Sequence, residues 1–398
     1  MLLSLLNARR KLYKFYKLFI KPKFYWKLPK KSDILIYDAC GADALAPYLA
    51  EYKSETIFLR GELVNIPCLF VAMFRVKFWK GNPVDAYVDV FIRLVSPSIA
   101  VTFIDNSPGF YTISSRFPRL KTVFLQNGRR DDWLDRLPNP PKFHVDYMLF
   151  HNIAMGRYHQ KFISGSALAV GSLKNNRARK SVDGPGEGVL FVSQFRERPV
   201  GGGAFFRQPN GDEVYWEQFY EADARVLRFL SKWCAEKNKP LRIAGCSPDN
   251  ESAERAFFAN CLPGCDWEYF PKSDLYASYG LVDAAELVVF VDSALGYESI
   301  GRGKKTAGFS CRGGFVGAET RRFGWPAALP DNGPFWTNEL KESEFCRVMN
   351  YLAMVSDVEW KRAQSQYGPD LMAFDTDNRQ FSALLSQLLP PRESDYCA

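Results

Sequence analysis

At 398 residues, with 47% hydrophobic and 15% aromatic content, the chain is long enough for two domains that each bury a core, and too apolar for extensive disorder. Its nine cysteines show no repeated CxxC spacing and sit mostly in apolar contexts, which argues for a reduced compartment and against a disulfide framework; with only three histidines, a structural zinc site is not expected. The net charge of +8 is uneven, because ten of the 52 Lys and Arg residues precede Asp33, the first acidic residue.

Residues 1–32 hold that basic cluster. Arg10, Lys14, Lys17 and Lys21 recur at helical spacing, with Leu12, Phe15, Tyr16 and Phe19 on another face. The pattern predicts a basic amphipathic N-terminal helix suited to an anionic membrane surface, or alternatively one packed on the protein body. Its apolar stretches are too short and too interrupted by lysine to span a bilayer, and no cleavage site follows them. The cluster is not repeated through the chain, so no nucleic-acid partner is expected.

From Asp33 to residue 173, short apolar runs alternate with helical patterns: DILIYDA, ETIFLRG, SIAVTFID, KTVFLQNG, VDYMLFHN and SALAVGS. This is the alternation of an α/β domain with a parallel sheet, whose functional loops gather at the strand C-termini. Helices are expected over 41–52 and over 63–95, the latter broken near Gly81 to Pro83. Three strand ends carry more chemistry than a turn needs. DACGAD offers Asp38, FIDNSPG offers Asp105 and Asn106, and FLQNGRRDD offers Gln126, Asn127, Gly128, Arg129 and Arg130. A carboxylate there, Asp38 or Asp105, suits general-base or nucleophilic catalysis, while amides and arginines suit sugar hydroxyls and acidic groups of an acceptor. Asp and Asn are also common turn residues, and it is their clustering at successive strand ends that singles them out.

Residues 174–187, polar and rich in Gly and Pro at their C-terminal end, read as a linker. A second α/β series occupies 188–375, with strands in GVLFVSQF, PLRIAGCS, DWEYFP, ELVVFVDS and KKTAGFSC and a helix from Trp216 to Glu236. Ser193 and Gln194 follow its first strand, Gly245 and Ser247 its second, and Phe270 and Lys272 stand where a nucleobase can be held. The run LVVFVDSALGYESIGRGKK is the strongest signal: an apolar strand, a switch to polarity at Asp292, a turn from Ser293, then a helix. Free N–H groups and the dipole at that helix start favour an anion, with Gly296 permitting close backbone approach. Glu298 can accept hydrogen bonds from ribose hydroxyls, so the segment reads as a nucleotide-sugar site. Residues 376–398 read as a C-terminal helix and tail. Two Rossmann-like domains facing a central cleft make the expected fold class GT-B α/β.

The motifs YDACGADALAPYL, FIDNSPGFY, FLQNGRR, LFVSQFRE, VVFVDSALGYESIGRGKK and FGWPAALPDNGPFWTN occur in matching order in a bacterial surface-carbohydrate biosynthesis family of Leptospira type, which the chain resembles from about Asp33 to about Trp360. The resemblance implies a GT-B glycosyltransferase of capsule or O-antigen synthesis, distantly similar to Kdo transferases, polysialyltransferases and glycerophosphotransferases. It assigns Ser293, Gly296 and Glu298 to donor phosphate and ribose. Gln126 to Gly128 stand where relatives carry a His-Gly pair, so the substitute base is expected to be Asp38 or Asp105. Arg129, Arg130 and Arg302 are expected to offset phosphate or sugar-carboxylate charge.

The expectation is therefore an enzyme without metal or other cofactor. It moves a sugar from a nucleotide donor, with CMP-Kdo or another CMP-nonulosonate preferred, to a surface polysaccharide or lipid-linked glycan. Its place would be the cytoplasm, peripheral on the inner face of the bacterial cytoplasmic membrane. A CDP-glycerol-type polyol-phosphate transferase and a nucleotide-sugar epimerase of the same architecture are the alternatives.

Overall fold

The computed structural model describes residues 23–389 except 61, 138–141, 181–185, 209–210, 247 and 317–318. The helical spacing from Arg10 to Lys21 and the candidate Ser247 lie outside the described residues.

The N-terminal half contains, in order, β1 (Lys23–Tyr25), β2 (Ile34–Tyr37), β3 (Ser54–Ile57), β4 (Leu63–Asn65), β5 (Ile99–Thr102), β6 (Lys121–Leu125), β7 (Phe143–Phe150) and β8 (Ile163–Ala169). Six of these form a wholly parallel sheet ordered β3-β2-β5-β6-β7-β8, and β1 pairs with β4 apart from it. The C-terminal half contains β9 (Val189–Val192), β10 (Phe206–Arg207), β11 (Glu213–Val214), β12 (Leu241–Ala244), β13 (Glu268–Phe270), β14 (Leu287–Phe290), β15 (Thr306–Phe309), β16 (Asn332–Gly333) and β17 (Trp336–Thr337). Its seven-stranded sheet runs β13-β12-β9-β14-β15-β17-β16 and is parallel except for the short β16 edge, while β10 and β11 make a separate hairpin.

Every residue of β2, β5, β9 and β14 is buried, as expected of apolar runs covered by helices on both faces. The helix Trp216–Glu236 lies where its periodicity predicts, burying Phe219, Val226, Leu230 and Trp233. Region 63–95 is more broken than the sequence suggests. After β4 come helices Ile66–Met73, Val76–Lys80 and Pro83–Val95. Asn65 accepts from Cys68 N at 3.0 Å, and Asn82 accepts from Val84 N at 3.2 Å, so two asparagine caps start new helices within it. The helix Asp357–Leu371 starts with a Ser356–Glu359 capping box and carries Pro369 in its last turn.

Both sheets point their strand C-termini at the space between the domains, and the chain belongs to the GT-B fold class. It crosses between the halves twice. The C-terminal helix Arg379–Leu388 returns to the first domain and buries Phe381, Leu384 and Leu385 in the core that holds Ile34, Leu45 and Ile99. The two crossings are tied side by side, by a bridge between Gly171 and Phe374 and by Asn176, which accepts from Asp375 N at 3.1 Å and donates to Asn378 Oδ1 at 2.8 Å.

Candidate functional site

In a doubly wound sheet the ligand crevice opens where strand order reverses, which here is between β9 and β14. The loops after these strands carry Gln194, Arg196, Asp292 and Ala294, and all four line a cleft of about 610 Å³ between the domains. The opposite wall comes from the loops after β5 and β6, with Asn106, Gly128, Arg129, Arg130, Asp131 and Trp133, and Thr320 and Arg321 complete it. Four arginines on its walls make it a receptacle for an anion.

The charge chemistry is centred on Asp292, which is 2% exposed. Arg321 reaches its carboxylate at 2.6 Å and Arg312 at 3.4 Å, and Arg129 pairs with it from the other domain. Burial, together with the crowding of Arg321 and Arg312, pulls the Arg129 guanidinium down to about 10. Burial and Arg312 likewise lower Arg321. One carboxylate is thus shared among several guanidinia, a balance that an incoming phosphate or carboxylate would improve. Arg129 also donates to Arg322 O at 3.2 Å and to Thr320 O, so it ties the two walls together. Arg312 is held from behind by Asp223, at 2.7 and 2.9 Å, and by Gln194 Oε1 at 2.6 Å. Arg196 is exposed, and its guanidinium has no carboxylate partner among the described residues.

Helix Ala294–Gly301 begins at this cleft. Its N-cap Ser293 makes no side-chain cap bond, so the hydroxyl is not spent on its own helix. Glu298 lies deeper, 6% exposed, accepting from the Tyr279 hydroxyl at 3.0 Å. Burial and the Glu298 carboxylate hold that phenol neutral, well above its ordinary value. The Glu298 carbonyl accepts from Asn175 Nδ2 at 3.1 Å, which places this turn against the hinge. His151, also at the hinge, contacts the Gln126 carbonyl through Nε2 at 3.0 Å. A carbonyl only accepts, so the proton is on Nε2. Burial lowers this imidazole to about 4 and keeps it neutral. Gln126 accepts from His151 N at 2.9 Å and donates to Gly128 O at 2.8 Å, bracing the loop; it does not line this cleft but, with Arg129, His151, Ala294 and Tyr297, lines a smaller pocket beside it between the domains.

Several sequence candidates have other employment. Asp105 is fully buried and doubly bonded by Arg130, so its carboxylate is closed to an acceptor hydroxyl. Against the cost of burial that carboxylate raises Arg130. Asn127 is drawn into the same cluster, donating its N–H to Asp105 at 3.3 Å and accepting from Arg130. Asp38 has a left-handed backbone, φ 74°, and its carboxylate accepts from Arg60 Nε at 2.8 Å and Cys40 N at 3.0 Å; like Asp105 it does not line the cleft. Ser193 gives its hydroxyl to the fully buried Glu254, which also accepts from the Tyr269 hydroxyl at 2.8 Å. A Cβ on Gly296 would lie 2.0 Å from the Phe290 ring, and one on Gly245 2.3 Å from the Tyr269 hydroxyl, so in both places the close approach is to the protein's own aromatic rings. Arg302 is buried against Asp283 at 2.9 Å and donates to the carbonyls of Asn175 and Ala178 at 3.1 and 2.9 Å, anchoring the interdomain segment away from the cleft. Phe270 ends the edge strand β13 and Lys272 follows it, separated from β14 by β12 and β9, and neither lines the cleft.

The structure therefore gathers Asn106, Gly128, Arg129, Arg130, Gln194 and Asp292 on one cleft and adds Arg196, Arg321 and Asp131, which sequence reasoning missed. Asp131 was visible in FLQNGRRDD and Arg321 just ahead of the FGWPAALPDNGPFWTN motif, but a loop arginine or aspartate has no distinguishing spacing. Among the described residues, no three His, Cys, Asp or Glu side chains gather where a metal ion could sit.

Residues 123–389 match the model of a Leptospira O-antigen biosynthesis protein family. No curated protein matches the chain. Among solved structures, it is similar to a candidate UDP-N-acetylglucosamine 2-epimerase from Listeria monocytogenes, with TM-score 0.52 and 10% identity over 89% of this chain and 96% of that one. It is also similar to S. aureus MnaA with UDP, with TM-score 0.50 and 10% identity over 89% and 96% of the two chains. UDP-GlcNAc 2-epimerase from Methanocaldococcus jannaschii gives TM-score 0.50 and 8% identity over 89% and 99%. At such identities the likeness is one of fold.

Proposed function

The chain belongs to the Leptospira O-antigen biosynthesis protein family, and from that premise we propose that it is a glycosyltransferase acting on a nucleotide-activated sugar. The supporting observation is the 610 Å³ interdomain cleft with Arg129, Arg130, Arg196 and Arg321 on its walls. The donor phosphate sits at Ser293 and Ala294, where free N–H groups begin the helix; Glu298, which lies behind the cleft wall with the Tyr279 hydroxyl on its carboxylate, is the ribose candidate. The arginines offset negative charge on the departing nucleotide without a metal ion, and one of them is available for a sugar carboxylate. An acidic sugar carried on CMP is accordingly the preferred donor. The acceptor is a surface polysaccharide or lipid-linked glycan held near Asn106 and Gly128, at the inner face of the cytoplasmic membrane.

The catalytic base is reassigned from Asp38 and Asp105 to Asp131. Of the carboxylates lining the cleft, Asp292 is enclosed by arginines, whereas the Asp131 side chain is 53% exposed; it accepts from Arg136 at 3.0 Å and from Trp133 N at 3.2 Å, and unlike Asp38 it lines the cleft. Its reach to an acceptor hydroxyl is the geometric requirement of a base.

The test is a thermal-shift comparison with CMP, CDP, UDP, GDP and ADP, on wild type and on Glu298→Ala. A bound nucleotide raises the melting temperature by mass action. A CMP-selective shift lost in the variant supports the acidic-sugar transferase. A CDP-selective shift turns the reading to a polyol-phosphate transferase, and UDP selectivity with turnover in the absence of acceptor turns it to an epimerase. No shift with any nucleotide defeats it. Asp131→Asn should keep nucleotide binding and lose transfer by a factor on the order of 10² or more, the usual worth of a general base.

A further inference from the structure

A second surface carries chemistry that the cleft does not use. Helix Ile66–Met73 contains no charged residue, and although it buries Cys68, Leu69 and Ala72, it turns Phe70 outward at 61% exposure, with Phe74 just beyond its end at 76%. Their rings meet edge to face at 4.9 Å, so they form one apolar ridge. Helix Val76–Lys80 adds Val76 and Trp79, both more than three-fifths exposed, and the Trp79 indole folds back to donate to Met73 O at 2.7 Å. Trp26 and Leu28, 72% and 62% exposed, follow β1. Tyr25 pairs with Asn65, and Asn65 Nδ2 donates to Lys27 O at 2.7 Å, which sets residues 25–28 beside the start of the helix.

The charges around this patch are mainly positive, with Glu62 beside Lys23 and Glu55, which accepts from Lys30 N at 3.3 Å, as carboxylates near it. Lys23, Lys27, Lys30, Lys31 and Lys80 are exposed, with no carboxylate paired to their ammonium groups among the described residues. Lys77 alone is neutralised, by Asp89 at 2.7 Å. Apolar patches of this kind mark an interaction surface. The interleaving of aromatic rings with lysines decides the partner. Protein interfaces deplete lysine at their cores, whereas Trp and Phe with Lys around them match the headgroup and upper acyl region of an anionic bilayer. Residues 1–22 are an unsuitable cover, because they carry six Lys and Arg and no acidic residue and would face like charge.

We propose that the face made by residues 26–28 and the helices Ile66–Met73 and Val76–Lys80 seats in the interface of an anionic lipid membrane, with Phe70, Phe74, Trp79 and Trp26 entering the lipid. This rests on the membrane location given above but not on the donor chemistry. The face adjoins the C-terminal edge of the N-terminal sheet: Arg60, bonded to Asp38 just after β2, is three residues before β4, which leads into this helix.

The experiment is flotation of the full chain with vesicles of phosphatidylcholine, alone and mixed with phosphatidylglycerol. The variants are Phe70→Ser with Phe74→Ser, Lys27→Glu with Lys80→Glu, and Lys14→Glu with Lys17→Glu and Lys21→Glu. All the structurally described sites are exposed, and an unchanged melting temperature verifies folding. The phenylalanine pair should weaken binding to anionic vesicles roughly tenfold or more, as expected for two aromatic side chains withdrawn from lipid. The Lys27 and Lys80 pair should lose most of the gain from phosphatidylglycerol. Binding that falls only with the Lys14 triple variant overturns the proposal and leaves the membrane location standing. Failure of wild type to bind anionic vesicles defeats both. A lipid-free dimer abolished by the phenylalanine pair would assign the face to a second copy instead.

Discussion

Asp292→Asn isolates the charge balance of the cleft. The wild-type carboxylate is 2% exposed and serves Arg129 and Arg321, while Arg312 has Asp223 as a second partner. An asparagine keeps the shape and removes the charge, leaving Arg129 and Arg321 uncompensated. Breaking a buried pair costs about 3–5 kcal/mol, and the 16% and 29% exposure of those two arginine side chains lets water reach them, which points to the lower end. With roughly 2–4 °C per kcal/mol for domains of this size, a loss of about 3 kcal/mol lowers the melting temperature by about 6–12 °C. The measurement is differential scanning fluorimetry of wild type and variant, each with and without pyrophosphate. Pyrophosphate should stabilise the variant more than wild type, because the anion replaces the missing carboxylate between the guanidinia. A variant that melts within about a degree of wild type, or equal stabilisation of both by pyrophosphate, would refute the reasoning.

Two further outcomes are expected. His151 is lowered by burial to about 4 from an unfolded value near 6.5, so as pH falls the unfolded chain takes the proton first; stability should decline from pH 6.5 towards 4 by about 3 kcal/mol, and His151→Asn should flatten that part of a urea-denaturation profile against pH. Gly296→Ala would put a methyl 2.0 Å from the fully buried Phe290 ring, costing about 1–3 kcal/mol or more of stability in chemical denaturation; an unchanged midpoint would show that the helix start can slide.

The strands were readable because they are short apolar runs ended by polar residues, and each of β2, β5, β9 and β14 is buried throughout. The two-domain layout followed from their spacing. What the sequence hides is long-range partnership. Ser193 looks like a phosphate ligand until Glu254, sixty-one residues away, takes its hydroxyl. Arg302 looks like a charge-offsetting group until Asp283 and the carbonyls of Asn175 and Ala178 claim it. Asp105 has the position of a base and the partner of a structural ion pair in Arg130. Gly296 serves packing, because a glycine's reason for being small is legible only when the atom pressing on it, here the Phe290 ring, is known. Conversely Arg196 and Arg321 stand in loops with no periodicity, and only the folding of both halves puts them around one volume.

The paired crossings between the domains have a mechanical consequence. Two chain segments bonded side by side, through Gly171 with Phe374 and Asn176 with Asp375 and Asn378, act as a strap with width. A strap folds easily across its width and resists twisting and sliding. The two halves are thereby bound like the covers of a book along its spine, with Asn152, donating to Leu371 O at 2.9 Å, as a further stitch. Arg129, which reaches Asp292 and the Thr320 and Arg322 carbonyls, is the clasp on the fore-edge. An anion that competes for this clasp both occupies the cleft and determines how far the covers stand apart.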